Sequence, residues 1–408
     1  MQNKNSNSIV HKLKKSLATV IVLCLSICHL ACAQTKPKQQ ATQKVLLGVE
    51  QTALYFPLLQ DKNVAFVGNH TSILEGKHLV DSLLAAQIKL VKVFSPEHGF
   101  RGDADAGEKV KDGIDVKTGL PIISLYGKNK KPTASQLEGI DVILFDIQDV
   151  GVRFYTYIST LHYVMEAAAE SKIKVIVLDR PNPNGHYVDG PILEKANQSF
   201  IGMHPVPIVH GMTIGEYARM IQGEKWLKNG VSCDLSVISC LNYTHQMPYE
   251  ITLSPSPNLP NTTAILLYPS LCLFEGTPIS VGRGTDKPFQ QFGHPSLREY
   301  THRFTPQPSF GASNPKLNGQ TCFGEDLSSQ NIDSLRLDTI LNLDYLIDVY
   351  QAYPNKEKFF TSFFTLLAGT KSLEEAIRNN RTADEIRESW QLGLDEYQKM
   401  RKKYLLYP

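Results

Sequence analysis

The residues with the most chemical potential follow short apolar segments that have the character of buried strands. Glu97 lies three residues after the apolar segment 90–94, within the sequence Ser-Pro-Glu-His-Gly-Phe-Arg of residues 95–101. A carboxyl group at the end of a buried strand borders a low-dielectric interior, a setting that suits general acid catalysis. Spacing alone leaves a structural alternative, in which Glu97 pairs with Arg101 or caps the turn that follows.

Two further carboxyl groups follow the apolar segment 141–145. Hydrolysis of a glycosidic bond usually needs one acid and a second carboxylate that acts as nucleophile or base. Asp146 and Asp149 are therefore candidate catalytic residues. The alternative for each is an ion pair with Arg153, or a capping role at the helix that follows.

The segment 153–157, Arg-Phe-Tyr-Thr-Tyr, has the composition of a substrate wall. Tyr155 and Tyr157 are suited to stack on sugar rings, and Arg153 is suited to hold a carboxylate with two parallel hydrogen bonds. The alternative is that these aromatic side chains belong to the core, which is the role we expect for Phe154.

A second group of candidates lies in the C-terminal half of the chain. The Gly-Arg-Gly-Thr segment 282–285 predicts a glycine-rich loop that brings Glu275 and Arg283 to a cleft between two domains. The segment is not a dinucleotide fingerprint, because the third glycine and the preceding strand and helix are missing. The alternative is a tight turn with a surface arginine.

Polar side chains also follow the other predicted strands. Parallel strands bring their carboxyl ends to one edge of a sheet, and an open α/β sheet binds its ligand at that edge. We therefore predict a substrate-binding rim. Besides the residues above, it contains Asn69, His70, His98, Arg101, Gln148 and Asn182.

Metal and nucleotide chemistry are not expected. His70, His98 and His210 could reach the same rim, but the sequence contains no HExxH motif and no closely spaced ligand pair. No glycine-rich phosphate loop follows the first strands, and there is no GxSxG nucleophile elbow. The sequence predicts a site without a metal, a nucleotide or another cofactor.

These candidates need a scaffold of alternating strands and helices. Near-continuous Val, Ile and Leu segments are typical of strands buried on both faces, as in a parallel sheet. We predict an α/β fold with a Rossmann-like, doubly wound and mostly parallel sheet. The predicted strands cover residues 63–68, 90–94, 122–126, 141–146, 174–178, 206–209 and 233–239, and the predicted helices cover 78–87, 135–137, 159–171 and 213–227.

The length of 408 residues favours two domains. We predict a Rossmann-like catalytic domain over 45–250 and a proline-rich joint over 254–260. A smaller α+β domain over 261–408 would then close the active-site cleft. For this second domain we expect short strands near 264–283 and helices near 341–352, 359–367, 372–379 and 383–402.

Residues 1–33 have the pattern of a signal peptide, with a basic start, an apolar stretch over 17–31 and an Ala-Cys-Ala cleavage site. A polar tether over 34–44 follows. The apolar stretch is short for a transmembrane helix. Cys32 is an alternative acylation site, so we expect an exported protein, periplasmic or secreted, that meets a membrane only if Cys32 is lipidated.

Charge and cysteine content argue against nucleic-acid binding and against disulfide bonds. Without the four lysines of residues 1–33, 38 basic side chains stand against 40 acidic ones, which predicts no basic face for nucleic acid. A strand between Cys233 and Cys240 would hold them more than about 20 Å apart, too far for a disulfide. We expect buried free thiols at these two positions and at Cys272 and Cys322.

From about residue 47 to the C-terminus, the chain resembles the exo-β-N-acetylmuramidase family. The resemblance rests on residues 94–102 (FSPEHGFRG), 145–157 (FDIQDVGVRFYTY), 178–183 (LDRPNP), 256–258 (SPN), 274–277 (FEGT) and 282–285 (GRGT). It implies a Rossmann-like domain followed by a smaller domain, with the active site between them. It also implies release of N-acetylmuramic acid (MurNAc) from the non-reducing end of peptidoglycan fragments, by cleavage of the β-1,4 bond to N-acetylglucosamine (GlcNAc), with Glu97 as the catalytic glutamate.

The implied sugar assigns roles to other candidates. MurNAc carries a lactyl carboxylate, so an arginine is expected near it: Arg101, Arg153 or Arg283. If the 2-acetamido oxygen attacks the anomeric carbon, Asp146 or Asp149 would orient it. Two other functions stay open at this point, a non-catalytic peptidoglycan-binding protein and a metal-dependent deacetylase or amidase.

Overall fold

A mostly parallel sheet forms the centre of the fold in the computed structural model, which describes residues 44–97, 99–101 and 112–408. The predicted signal peptide and the acylation site at Cys32 lie outside the described residues. The strands of the described residues are, in chain order, β1 (Val64–Gly68), β2 (Ile73–Leu74), β3 (Lys77–His78), β4 (Leu90–Ser95), β5 (Gly113–Ile114), β6 (Pro121–Ser124), β7 (Val142–Asp146), β8 (Lys174–Leu178), β9 (Leu235–Ile238), β10 (Gln291–His294), β11 (His302–Phe304) and β12 (Cys322–Asp326).

Within these residues, seven strands hydrogen-bond in the order β5-β6-β4-β1-β7-β8-β9. The edge strand β5 is antiparallel to β6, and the other pairs are parallel. If the parallel strands alone are numbered along the chain, their order across the sheet is 3-2-1-4-5-6. This is the order of the doubly wound Rossmann fold, which confirms the predicted fold class.

Alternate side chains of each central strand face two different apolar cores. In β1, Val64 and Phe66 contribute to one core, and Ala65 and Val67 contribute to the other. All four side chains are fully buried. Burial on both faces explains the near-continuous apolar sequence of the strands, because neither face is left for polar side chains.

Helices cover both faces of the sheet. Tyr55 and Leu83 pack into one core, while Leu161 and Tyr217 pack into the other. The predicted helices of the first half are confirmed, although the last of them ends at Gly223, earlier than expected. The α-helices of the described residues are α1 (Thr52–Leu59), α2 (Leu79–Ala85), α3 (Ala134–Leu137), α4 (Tyr157–Ser171), α5 (Ile214–Gly223), α6 (Thr262–Leu271), α7 (Ile332–Leu337), α8 (Asp344–Ala352), α9 (Ser362–Ala368), α10 (Ser372–Arg378) and α11 (Ala383–Arg401).

The strand predicted at 206–209 is wrong. Val209 makes isolated bridges to Val152 and to Asp189, and the segment does not extend into a ladder. Pro207 explains the difference, because proline has no N–H group to donate to a neighbouring strand.

The strands predicted near 264–283 are also largely wrong. The chain forms α6 there and then a 3-10 helix over Cys272–Gly276. A short apolar run fits a buried helix as well as a buried strand, so its periodicity did not discriminate. Asn261 is the deciding local signal, since its side chain accepts a hydrogen bond from the Ala264 N–H and caps the helix.

The C-terminal part of the described chain adds a three-stranded antiparallel sheet in the order β10-β12-β11. The helices predicted for this part correspond to α8, α9, α10 and α11. Residues Val45–Pro408 pack as one compact unit, and the domain division near residue 250 stays a prediction. The cysteines at 233, 240, 272 and 322 are buried and free, as predicted. None of the helices in the described ranges is both long and apolar enough to cross a bilayer.

Candidate active site

A cavity of about 590 Å³ is lined by residues that follow two strands of the parallel sheet. Glu97 follows β4, and residues 154–157 follow β7. These two strands lie on either side of β1, so both segments flank the point at which the strand order reverses. Ligands bind there in this topology. Much of the remaining lining comes from the C-terminal half, including Ser256, Asn258, Cys272, Glu275, Arg283, Phe289 and residues 311–316.

Two hydroxyl groups lie beside the Glu97 carboxylate. Thr156 donates its hydroxyl to Glu97 Oε2 at 3.2 Å. Tyr126, which follows β6, lines the cavity with Glu97 and is close enough to be affected by its charge. Burial, and then the nearby Glu97 charge, raises the pKa of Tyr126, so its phenol keeps its proton and remains a donor.

The position of Thr156 in the chain is unusual for a threonine. It is the N-cap residue of α4, but its side chain makes no capping hydrogen bond. The hydroxyl that would cap the helix is used on Glu97 instead. This arrangement places the Glu97 carboxylate near the amino end of a helix of 15 residues, where the helix dipole favours negative charge.

Tyr155 and Tyr157 form the aromatic part of the lining that the sequence predicted. Their rings meet edge to face with centroids 4.9 Å apart. Both hydroxyls donate to the Pro255 carbonyl, at 2.8 and 3.4 Å. Asn69, a predicted substrate-binding residue, is fully buried and donates its amide to the Tyr157 hydroxyl at 2.9 Å. Its role in the structure is to position Tyr157.

Glu275 and Arg283 both line the cavity and bind each other through two parallel hydrogen bonds. Arg283 Nε donates to Glu275 Oε1 at 2.7 Å, and Nη2 donates to Oε2 at 3.1 Å. The guanidinium also lies over the Phe289 ring, 4.9 Å from its centroid. Edge and face contacts together fix the plane of the arginine.

Lys316 also lines the cavity, but its ammonium group is already used by the backbone. It donates to the carbonyls of Phe274, Glu275, Thr277 and Ile279, at 3.2, 3.4, 2.5 and 3.1 Å. Burial lowers the pKa of Lys316. The lysine therefore closes the end of the 3-10 helix over Cys272–Gly276 and joins this segment to the loop 311–316.

The structure places Asp146, a predicted catalytic residue, away from the cavity. Its side chain is fully buried and lies outside the cavity lining. Arg180 Nε and Nη2 donate to its two carboxylate oxygens at 2.6 and 2.9 Å. Because both oxygens are paired and neither reaches the cavity, Asp146 is a structural residue of the sheet rim. The partner is Arg180, not the Arg153 that spacing had offered as the alternative.

Asp149 also lies outside the lining and is 4% exposed. One oxygen accepts the Gly151 N–H at 2.7 Å. The other oxygen is buried without a hydrogen-bond partner among the described residues. Burial raises the pKa of Asp149 to about 7, so the carboxyl group is held partly neutral beneath the tyrosine wall.

Two of the three arginines proposed to bind the substrate carboxylate lie outside the cavity lining. Arg153 is fully buried, and its guanidinium donates to four backbone carbonyls, those of Pro191, Val206, Leu367 and Ala368, at 2.6 to 3.0 Å. Arg101 donates to both oxygens of Asp115, at 2.8 and 2.7 Å, and lies outside the lining.

The remaining rim candidates also lie outside the lining. Gln148 donates to the carbonyls of Asp149 and Pro181 at 2.8 and 2.9 Å. Asn182 donates to the Met212 carbonyl at 2.9 Å, and His70 Nε2 is 2.7 Å from the Ser254 carbonyl. These contacts brace the loops around the cavity. His98 lies outside the described residues.

Sequence reasoning missed several residues of the lining. Tyr126 ends a predicted strand, so the rim argument could have included it. Asn258 donates to the Gly311 carbonyl at 2.6 Å. It lies in a proline-rich segment interpreted from the sequence as a joint and as a family motif, without a role for this residue. Lys316 had no local signal, because its partners are about 40 residues away along the chain.

The fold and this cavity define an α/β enzyme whose site combines a hydrogen-bonded carboxyl group with aromatic walls, a composition typical of glycoside hydrolases. Nowhere in the described ranges do three His, Cys, Asp or Glu side chains form a cluster that could hold a metal ion.

Comparison with known proteins identifies the family. Residues 64–263 match the family model of the N-terminal part of exo-β-N-acetylmuramidase NamZ, and residues 266–407 match that of its C-terminal part. The peptidoglycan β-N-acetylmuramidase NamZ of Bacillus subtilis (strain 168) is 39% identical over 391 residues, which are 91% of this chain and 92% of that protein. The chain belongs to the exo-β-N-acetylmuramidase family and is a glycosidase.

Solved structures agree with this membership. A crystal structure of a DUF1343 family protein from Bacteroides fragilis is 48% identical, with a TM-score of 0.84, and the match covers 89% of this chain and 99% of that one. A second DUF1343 structure from the same organism is 30% identical, with a TM-score of 0.76 and the same coverage. Of the functions that the residues had left open, family membership selects the glycosidase.

Proposed function

We propose that this enzyme releases MurNAc from the non-reducing end of peptidoglycan fragments by cleaving the β-1,4 bond to GlcNAc, with Glu97 as the general acid. The proposal is supported by the name of the Bacillus subtilis relative, a peptidoglycan β-N-acetylmuramidase. The single observation that carries the assignment is the position of Glu97, a carboxyl group in the cavity lining that accepts a hydrogen bond from Thr156 and lies beside Tyr126.

The chemistry follows from this position. As the bond between the anomeric carbon and the glycosidic oxygen breaks, Glu97 donates its proton to that oxygen, and GlcNAc leaves as a neutral alcohol. Thr156 donates to the carboxylate that remains. A water molecule then supplies the hydroxyl group that bonds to the anomeric carbon of MurNAc, and its other proton restores the acid form of Glu97. Tyr155 and Tyr157 provide apolar ring surface for the faces of the sugar.

The test is Glu97→Gln assayed on the MurNAc-GlcNAc disaccharide, with release of free MurNAc measured by mass spectrometry. We expect turnover to fall about 100-fold to 10,000-fold, because the amide cannot supply the proton. Glu138→Gln is the matched control, since Glu138 is exposed and lies outside the cavity lining. Near-normal turnover by the Glu97 variant would refute the assignment.

We also propose that the protein is exported. The support is the sequence pattern of residues 1–33. The mass of the mature N-terminus distinguishes the routes: a start at residue 34 indicates secretion after cleavage, and a diacylglyceryl adduct on Cys32 indicates a lipid anchor. An unprocessed N-terminus in cells that have a signal peptidase would contradict both.

A further inference from the structure

Selection of MurNAc over GlcNAc needs a feature that recognises the one group in which these sugars differ. MurNAc carries a lactyl ether with a carboxylate, and GlcNAc carries a hydroxyl at the same position. A carboxylate is recognised most strongly by a charged donor, above all by the two-pronged edge of an arginine. The question is therefore which cation of the cavity has donors to offer.

Among the described residues that line the cavity, the cationic side chains are Arg283 and Lys316. Lys316 has three N–H groups and faces four backbone carbonyls. Its donors are therefore committed to the protein, and a substrate carboxylate would have to displace a carbonyl from the ammonium group. This cost makes Lys316 a poor receptor for an anion.

Arg283 is different, because only one edge of its guanidinium is occupied. Nε and Nη2 bind Glu275, while the described residues offer no acceptor to Nη1. The side chain is 24% exposed and lines the cavity, so a ligand in the cavity can contact it. An arginine carries five N–H donors, and the pair with Glu275 uses two of them.

The loop around Arg283 is built to hold it in place. Gly282 and Gly284 both have a left-handed backbone, with φ of +77° and +79°. A Cβ atom at these positions would lie 2.6 Å from the Lys287 carbonyl oxygen and 2.4 Å from the Gln307 carbonyl oxygen, respectively. Larger residues are excluded on both sides of Arg283, so only glycine fits these two positions. Phe289 and Glu275 then fix the orientation of the guanidinium.

The geometry points to Arg283 as the residue that binds the lactyl carboxylate through its open edge and thereby selects MurNAc over GlcNAc. Glu275 orients the guanidinium and balances its charge when the cavity holds no anion. The inference rests on the proposed function, because it names the group of that substrate which Arg283 contacts. Arg283 acts in recognition and not in proton transfer, which remains with Glu97.

The test uses two substrates that differ only in the recognised group: the 4-nitrophenyl β-glycoside of MurNAc, and its analogue in which the lactyl carboxylate is a carboxamide. For the wild-type enzyme we expect kcat/KM to favour the carboxylate about 10- to 100-fold, the range for a hydrogen-bonded charge pair. In Arg283→Ala this preference should fall to about twofold, through loss on the carboxylate substrate alone. Arg283→Lys should retain part of it.

The carboxamide substrate serves as the control for folding, since a misfolded variant loses activity on both substrates. Arg303→Ala is the matched arginine control. Arg303 also stacks on a phenylalanine ring, at 5.2 Å, but lies outside the cavity lining, so its loss should leave the preference unchanged. Equal losses on both substrates in a folded Arg283→Ala, or an unchanged preference, would overturn the inference.

A binding measurement separates this inference from the proposed function. Calorimetry with MurNAc and with its carboxamide should show the same preference in the wild type, and Arg283→Ala should abolish it. Glu97→Gln should keep the binding preference while it loses turnover on the MurNAc-GlcNAc disaccharide, whose leaving group must be protonated. If the wild type cleaves neither glycoside but binds MurNAc through Arg283, the proposed reaction fails and the recognition role stands. If the wild type binds MurNAc and its carboxamide equally well, Arg283 does not recognise the lactyl carboxylate.

Discussion

Two arginine–carboxylate pairs in this molecule have nearly the same geometry and different surroundings. In each, Nε and Nη2 of the arginine donate to the two carboxylate oxygens, at 2.6 and 2.9 Å for Arg180 with Asp146 and at 2.7 and 3.1 Å for Arg283 with Glu275. The side chains of the first pair are 6% and 0% exposed, and both side chains of the second are 24% exposed. The first lies at the sheet rim, outside the cavity, and the second is part of the cavity lining.

The difference shows that access, and not the pairing itself, separates a structural ion pair from one that can meet a ligand. Asp146 and Arg180 are buried in the folded protein, so each compensates the desolvated charge of the other. Glu275 and Arg283 keep contact with solvent and leave an edge of the guanidinium open. Sequence reasoning had placed Asp146 in the chemistry because it follows a strand, a criterion that both kinds of residue satisfy.

Asp146→Asn gives the most direct test of the difference between the buried and the partly exposed ion pair. Removal of one charge from a buried pair leaves Arg180 uncompensated, so we expect the free energy of unfolding to fall by about 3–5 kcal/mol. Glu275→Gln removes the same charge from the exposed pair and should cost about 1 kcal/mol or less. Urea denaturation of both variants measures the difference, and equal losses would mean that burial does not separate the two pairs.

Asp149 sharpens the comparison through pH. Its pKa is raised to about 7 by burial, so the folded protein binds this proton more tightly than the unfolded chain. The stability that the carboxyl group contributes is therefore present below about pH 4 and is lost as pH rises through 7. Asp149→Asn removes this dependence. The variant should gain stability relative to the wild type by on the order of 2–4 kcal/mol between pH 4 and pH 8.

Asp115 provides the opposite case as a control for the Asp149 experiment. A hydrogen bond from Arg101 is the main reason that the pKa of Asp115 is lowered to about 2. Its contribution is lost only as pH falls toward 2, so Asp115→Asn should differ from the wild type by a constant amount between pH 5 and pH 8. Thermal denaturation across that range tests both variants. If the stability difference between Asp149→Asn and the wild type did not change with pH, the pKa of Asp149 would not be raised by burial.

The smallest expected effect concerns the positioning of Glu97. Thr156→Val removes one hydroxyl donor from the carboxylate, worth about 1 kcal/mol, and should lower kcat about five- to tenfold with little change in KM. Thr156→Ser restores the hydroxyl and should restore kcat. If the serine variant were as slow as the valine variant, the methyl packing of Thr156 would matter rather than its hydrogen bond.

The fold was largely readable from the sequence, and particular elements show why. The strands at 64–68, 90–95, 142–146 and 174–178 are apolar at nearly every position, a pattern that only burial on both faces permits. The errors fell where local signals conflict. The apolar residues 264–268 fit a helix as well as a strand, so only the cap at Asn261 distinguished the two.

The candidate site was readable only in part. Glu97, Tyr155, Tyr157, Glu275 and Arg283 do line one cavity, while Asp146, Arg153 and Arg101 do not. The two arginines show the reason. Arg153 is committed to carbonyls from residues 191, 206, 367 and 368, and Arg101 to a carboxylate 14 residues away. No local sequence pattern predicts these partners.

By itself, the sequence determined the class of fold and the edge of the sheet at which chemistry is possible, because hydrophobic periodicity and the residues after each strand are local properties of the chain. Which ionisable side chains pair within the protein, and which stay accessible in the cavity, depends on the tertiary structure. Segments far apart in the chain supply the hydrogen-bond partners of these side chains or leave them in contact with water. A charge that becomes buried must find its partners among those segments.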